Sequence, residues 1–256
     1  MTDLISRESA WLITLLLMAL MLAAWGGGWQ WGKRLLQRGD KTEAGKAEEA
    51  TLALMGLLLA FTFSMALEKH SQRRAMSVSD ANAIGDYYTA VSMLPEPRRK
   101  ELQTLVRRYT EHRLDLATRS LTNDASLATG IDEINAMQDR MTELTRAAIE
   151  AGTPVAVPLV DTLNGVTSST ASRLWAAQDR LPWPVLLLLS LSTLVSLAFV
   201  GRGQAVSGKA HPLATVGLII MLALVIYVTL DLNQPQHGLI RVGQEPMERL
   251  LKTMPE

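Results

Sequence analysis

Four long apolar runs without a single Asp, Glu, Lys, Arg or His dominate this chain: Ala10–Trp29, Ala50–Leu67, Pro182–Val200 and Pro212–Leu230. As a helix, each is long enough to cross about 30 Å of hydrocarbon. The stretch between the second and third runs is charged and helix-patterned. The expected fold class is therefore all-α: a polytopic membrane protein with four transmembrane helices and a helical extramembrane insert between the second and third. Residues 1–67 hold the first two transmembrane helices and their connector, and 68–181 the insert. Residues 182–231 hold the third and fourth transmembrane helices, and 232–256 a short amphipathic tail.

The first run is read as a retained span rather than a signal peptide. Its leader carries Asp3, Arg7 and Glu8, a poor positive n-region, and no clear small-x-small cleavage site follows. Trp11 at one end and Trp29 with Trp31 at the other lie about 27 Å apart along a helix, the spacing of two aromatic belts. The formal net charge is zero, so no basic field argues for nucleic acid as a partner. The absence of cysteine removes disulfides, thiolate catalysis and cysteine metal sites.

The second span runs on without a stop. From Ala50 to Leu94 there is no proline, so one long helix is expected to leave the membrane near Glu68 and continue to Pro95-Glu96-Pro97. Three further helices are predicted in the insert. Leu102, Leu105, Val106, Tyr109 and Leu116 stripe Arg98–Arg119. Ile134, Met137, Met141, Leu144 and Ala148 stripe Ile131–Glu150, and Leu159, Leu163, Val166 and Leu174 stripe Pro158–Arg180. Asn123–Gly130 and Ala151–Pro154 read as turns. The segment Gly201–His211 reads as a tight polar connection between antiparallel third and fourth spans.

Enzyme chemistry finds little support. No nucleophile elbow, Walker loop, H-E-x-x-H or dinucleotide fingerprint is present. The histidines at 70, 112, 211 and 237 lie on separate elements without ligand spacing, so no metal site and no cofactor are expected. Spans without acidic or basic residues also argue against a proton relay or voltage sensor, whereas hydroxyls, backbone dipoles and apolar constrictions can line a pore for anions or neutral solutes.

The best pore-lining candidates lie on the second span, where Gly56, Ala60 and Ser64 repeat every four residues. Close helix packing is the blander explanation of that stripe. Phe61 and Phe63 are candidates for an apolar gate, and because they point about 200° apart only one can face a pore. Ser190, Ser192, Thr193 and Ser196 supply hydroxyls to the third span, where bonding back to helix carbonyls is the alternative. Beyond the second span, Ser77, Asp80, Ala81, Ile84 and Gly85 share one helix face. Asp80 and Asn82 are expected close to a packed surface, and Gly85 to allow close approach. Arg98, Arg99, Lys100, Arg107, Arg108 and Arg113 spread around their helix and read as a solvated surface.

Four motifs resemble the bestrophin-like membrane family of bacteria and plants, a group of unknown function. They are Gly56–Ala66 (GLLLAFTFSMA), Asp80–Gly85 (DANAIG), Leu94–Arg99 (LPEPRR) and Asp231–Val242 (DLNQPQHGLIRV). The last contributes Asp231, Asn233, Pro235 and Gly238 as motif residues of unassigned role, with Asn233 standing where family members more often carry Asp. The resemblance covers about Ala50 to Pro246 and implies distant kinship to bestrophins, which are pentameric anion channels with a large cytosolic helical region. It favours Phe61 or Phe63 as a neck. It implies a homo-oligomer in the bilayer with an anion as permeant, multi-pass in the cell inner (plasma) membrane. A non-conducting scaffold or sensor whose insert binds a partner or ligand is the alternative. The resemblance places the insert inside the cell. The count of Lys and Arg in the short loops favours the outside, so the face is left open.

Overall fold

A computed structural model of the chain describes residues 10–38, 45–118, 124–208, 211–234 and 239–255. Among these residues the regular structure is entirely helical. The helices are α1 (Ala10–Gln37), α2 (Lys46–Ser92), α3 (Arg98–Thr118), α4 (Asp124–Glu150), α5 (Ala156–Gln178), α6 (Trp183–Ser207), α7 (Pro212–Leu232) and α8 (Glu245–Thr253). α1, α2, α6 and α7 are each long and apolar enough to cross a membrane. The chain divides into two compact units. The first comprises residues 1–69 and 180–240, the second residues 70–179 and 241–256.

α2 is the unbroken helix that the lack of proline predicts, ending just before Pro95 and Pro97. Its buried positions include Met55, Thr62, Ala66, Arg73, Ser77, Asp80, Ile84, Tyr87 and Val91. Most follow one another at steps of three or four, the period of a packed seam. What changes along the seam is its chemistry, apolar at first and then strongly polar from Arg73 to Asp80.

In the first unit, α1 lies along α6 and also packs on α7. Small residues permit the close approach. A Cβ on Gly28 would collide with the Ala198 carbonyl of α6, and one on Gly201 with the Trp25 carbonyl of α1. One on Gly32 would lie 2.7 Å from the Ala205 side chain. Such small-residue seams let helix backbones meet where lipid supplies no hydrophobic drive to associate. Polar bonds cross-link the same helices: Trp25 Nε1 donates to Gln204 Oε1 (3.1 Å), and Gln204 Nε2 donates to Thr215 Oγ1 (2.7 Å). Met21, Met55, Leu189, Leu197, Ile219 and Ile226 fill the core beside them. α6 continues helical to Ser207, past the Gly201 where a turn was expected, because Gly201 serves the α1 seam instead of breaking the helix. Gly208, with φ 67°, ends it.

In the second unit the predicted stripes of α3, α4 and α5 form the core. Leu102, Val106, Tyr109, Ile134, Met141, Leu159 and Val166 are buried with Ile84, Tyr87 and Val91 of α2. Fully burying apolar side chains of this size contributes about 1.5–3 kcal/mol each. α4 begins at Asp124, not after the turn expected at Asn123–Gly130. Gly130 is buried against Leu116 of α3, so it serves close packing and costs the helix only about 1 kcal/mol in propensity. Residues 241–256 of the tail belong to this unit. Met247 and Met254 are buried in its core, and Arg107 donates to the Met254 carbonyl.

The α1–α6 seam yields a paired test. Gly28→Ala is expected to cost about 1–3 kcal/mol by overpacking and to lower the detergent melting temperature. Gly26→Ala, which meets open space, is expected to leave it unchanged or slightly raised.

Candidate functional site

The pore candidates of α2 separate cleanly in the first unit. Gly56, Ala60, Phe61 and Ser64 are all exposed, with Phe61 62% accessible. A Cβ on Gly56 would meet nothing within 4 Å. Within this chain, then, Gly56 marks no helix crossing; the close crossing lies between α1 and α6. Phe63 is half-buried against Ala66, Leu181 and Leu232. The two rings thus divide the roles that their angular separation demands: one anchors α2 and the other stands free. On α6, Ser190, Ser192, Thr193 and Ser196 each donate to a carbonyl three or four residues back, so these hydroxyls are satisfied by their own helix. Ser196 Oγ also lies 3.3 Å from the Thr51 carbonyl, tying α6 to α2.

The exit motif folds around Asp231. Its carboxylate, buried on α7, accepts from the backbone N–H groups of Leu239 (2.9 Å) and Ile240 (2.8 Å), fixing the chain as it returns. Asn233 Oδ1 accepts from the Leu181 N–H (2.7 Å) just before α6. An amide oxygen suffices for that bond, so Asn in place of Asp keeps the contact without burying a second charge. Pro235 and Gly238 lie outside the described residues.

The second unit holds a polar network centred on Asp80, which is fully buried. Its Oδ2 accepts from Arg113 Nη2 of α3 (2.5 Å) and Arg173 Nη1 of α5 (2.8 Å), and its Oδ1 accepts from Ser169 Oγ (3.0 Å). Arg113 Nη1 donates to Tyr109 Oη (2.9 Å) and Thr170 Oγ1 (2.7 Å). Gln138 Nε2 of α4 reaches the same two oxygens. Thr170 gives its proton to the Val166 carbonyl, which leaves Tyr109 as the donor of the Tyr109–Thr170 bond. Arg173 Nη2 donates to Gln244 Oε1 (2.6 Å), and Arg73 donates to the carbonyls of Ala176 (3.0 Å) and Asp179 (2.7 Å). Nearby, Tyr87 shares a 2.7 Å hydrogen bond with Thr145. Burial pushes its hydroxyl up to about 12, against the opposing effect of that bond, so it stays protonated at neutral pH.

Asp80 and Ser77 share the buried face that the sequence predicts, and Gly85 lets the Leu250 side chain of α8 approach. Asn82 differs, since it lies on the exposed side. Arg113 is the larger correction. It is buried in an ion pair and does not belong to the solvated surface assigned to its neighbours. The missed signal is its register. Arg113 follows Tyr109 by four and precedes Leu116 by three, inside the apolar stripe of α3. Arg173 likewise continues Val166 and Thr170 on α5.

An open groove of about 690 Å³ runs between α3 and α4, with Leu105, Ala136 and Met137 among its lining and Arg108, Arg140, Glu111, Asp115 and Glu133 as its charged groups. His112 of this groove contacts Glu133 at 3.2 Å. Among the described residues no three His, Cys, Asp or Glu side chains gather as a metal site would require.

The spans define an all-helical membrane protein, and its sequence places it more narrowly. A family described as Bestrophin-like domain matches residues 49–247, most of the chain, and the protein belongs to that family. The fold is similar to that of a solved bacterial bestrophin homolog from Klebsiella pneumoniae, determined as a point mutant. The TM-score is 0.67 at 14% identity, over 96% of each chain. Among curated proteins none matches.

A buried ion pair is expensive to break from one side. Asp80→Ala would leave two guanidinium groups facing a vacated carboxylate site. The expected loss is about 3–5 kcal/mol, read as a large drop in the temperature at which helical circular dichroism is lost.

Proposed function

We propose that this protein is an oligomeric, multi-pass membrane protein of the cell inner membrane that conducts anions as bestrophins do. The observation that carries the reading is the exposed face of α2. Gly56, Ala60 and Ser64 give part of that face a narrow profile, and Phe61, 62% accessible, flanks the stripe about 60° from Ser64. Second spans from several copies, arranged around an axis, would line a pathway with Phe61 as its constriction. Phe63 would then be the packing partner that holds the orientation of α2. Spans free of Asp, Glu, Lys, Arg and His suit a permeant that needs no proton relay. Residues 68–181 would form the helical extramembrane part of the protein.

A second reading, a non-conducting scaffold or sensor, draws on the polar network around Asp80. Such a network could support a ligand site in the helical unit without any pore.

Halide flux into liposomes separates the readings. Phe61→Ala should change the halide flux several-fold while the oligomer stays intact. Phe63→Ala should instead lower thermal stability. Wild-type protein that is folded, inserted in both orientations and without halide flux would overturn the channel and leave the scaffold.

A further inference from the structure

We infer that the outward face of α1, where the helix leaves its apolar run, binds the headgroup of an anionic phospholipid. This goes beyond the pore reading and does not depend on it, since α1 carries none of the pore candidates. Gly28 and Gly32 turn one side of α1 toward α6. On the other side Lys33, Arg34 and Arg38 are all exposed and fall within about 140° of the helix circumference. No acid stands anywhere in residues 10–38, and among the described residues none of these three cations forms an ion pair. The connector's Asp40 and Glu43 follow outside the described residues, and Glu48 faces Arg202 of α6 (3.6 Å). Arg34 and Arg38, one turn apart, repel each other, and the helix dipole compensates cations only in the last turn. A shared anion relieves that repulsion.

Depth and shape say which anion. The apolar run ends at Trp29. Lys33 and Arg34 lie about 6–8 Å further along the helix, within the headgroup layer of a bilayer. Lys33 Nζ sits 5.5 Å from the centroid of the Trp29 ring, an amphipathic pairing suited to that interface. Two turns nearer the hydrocarbon, Gly26 stands beneath Lys33 and Gly27 beneath Arg34, each seven residues earlier. A Cβ on either glycine would meet nothing within 4 Å. Unlike Gly28 and Gly32, these two serve no contact with α6, so they leave a shallow recess under the cations. The recess accepts the glycerol and upper acyl chain of a lipid whose phosphate reaches the two guanidinium forks, which match phosphate oxygens. Free phosphate matches the cations without the recess. A zwitterionic phospholipid fits the recess but brings its own cation. An anionic phospholipid matches both.

The test uses full-length protein in detergent with added phosphatidylglycerol or phosphatidylcholine of identical acyl chains. Bound lipid is counted by native mass spectrometry, and the melting temperature reports ligand held by the folded state. Phosphatidylglycerol should bind more tightly and raise the melting temperature further, with the difference shrinking as salt is raised. Arg34→Gln combined with Arg38→Gln should weaken phosphatidylglycerol binding roughly tenfold to thirtyfold. Its melting temperature in phosphatidylcholine should match wild type, because both side chains are exposed. Gly27→Leu, which changes no charge, should also weaken binding by filling the recess. Inorganic phosphate should reproduce neither effect. Equal binding of the two lipids, undiminished binding in the double variant or in Gly27→Leu, or an equal shift with inorganic phosphate would each overturn the site. None of these readouts involves halide flux, so failure of the pore and failure of this site are distinguishable.

Discussion

The carboxylate of Asp80 is the group on which the second unit turns. It is buried, and it receives a guanidinium from α3, another from α5 and a hydroxyl from α5. Through Arg113 the same network reaches Tyr109, Thr170 and, from α4, Gln138. Burying these charges is not a stability gain by itself, because desolvation offsets much of the attraction. What the network supplies is register. Slipping any one of these helices by a turn would leave a buried charge facing apolar side chains, a state several kcal/mol less stable. Four helices whose apolar stripes alone could pack in several registers are thus held to one.

That network also explains what could be read in advance and what could not. Apolar periodicity located the helices of the insert, the absence of proline the unbroken α2, and the 100° helical step the shared face of Ser77, Asp80 and Ile84. Arg113 escaped because a charged residue is assigned to the solvated side by default. Its place in the stripe, between Tyr109 and Leu116, carried the contrary information. An Asp on one stripe and Arg on two others is a complementary set, but matching them requires knowing which helices face each other. Gly130 misled for a related reason: glycine signals a turn in isolation and a close contact once Leu116 is opposite it.

The spans show the same division. Gly56, Ala60 and Ser64 invited a packing seam on α2, yet within the chain that face is exposed. The seam lies instead where Gly28 and Gly32 meet Ala198, Gly201 and Ala205. Both stripes are made of small residues, and sequence spacing does not tell a surface that meets another helix of the same chain from one left free. Phe61 and Phe63 were separable in angle from sequence, but only the packing of Phe63 against Leu181 and Leu232 says which ring is free. The free face and the anchored face of α2 together support the account of this helix as the lining of a pathway.

The chain has no cysteine, which makes the most direct test clean. Single cysteines would be placed at Ala60, Ser64 and Ala66 in protein reconstituted into liposomes, then exposed to a membrane-impermeant thiol reagent during halide flux. The account predicts that Ala60→Cys and Ser64→Cys react and that their modification changes the flux, while the buried Ala66→Cys does not react. Unreactive cysteines at 60 and 64, in protein that still conducts, would mean that this face meets lipid or a neighbouring helix and that the pathway lies elsewhere.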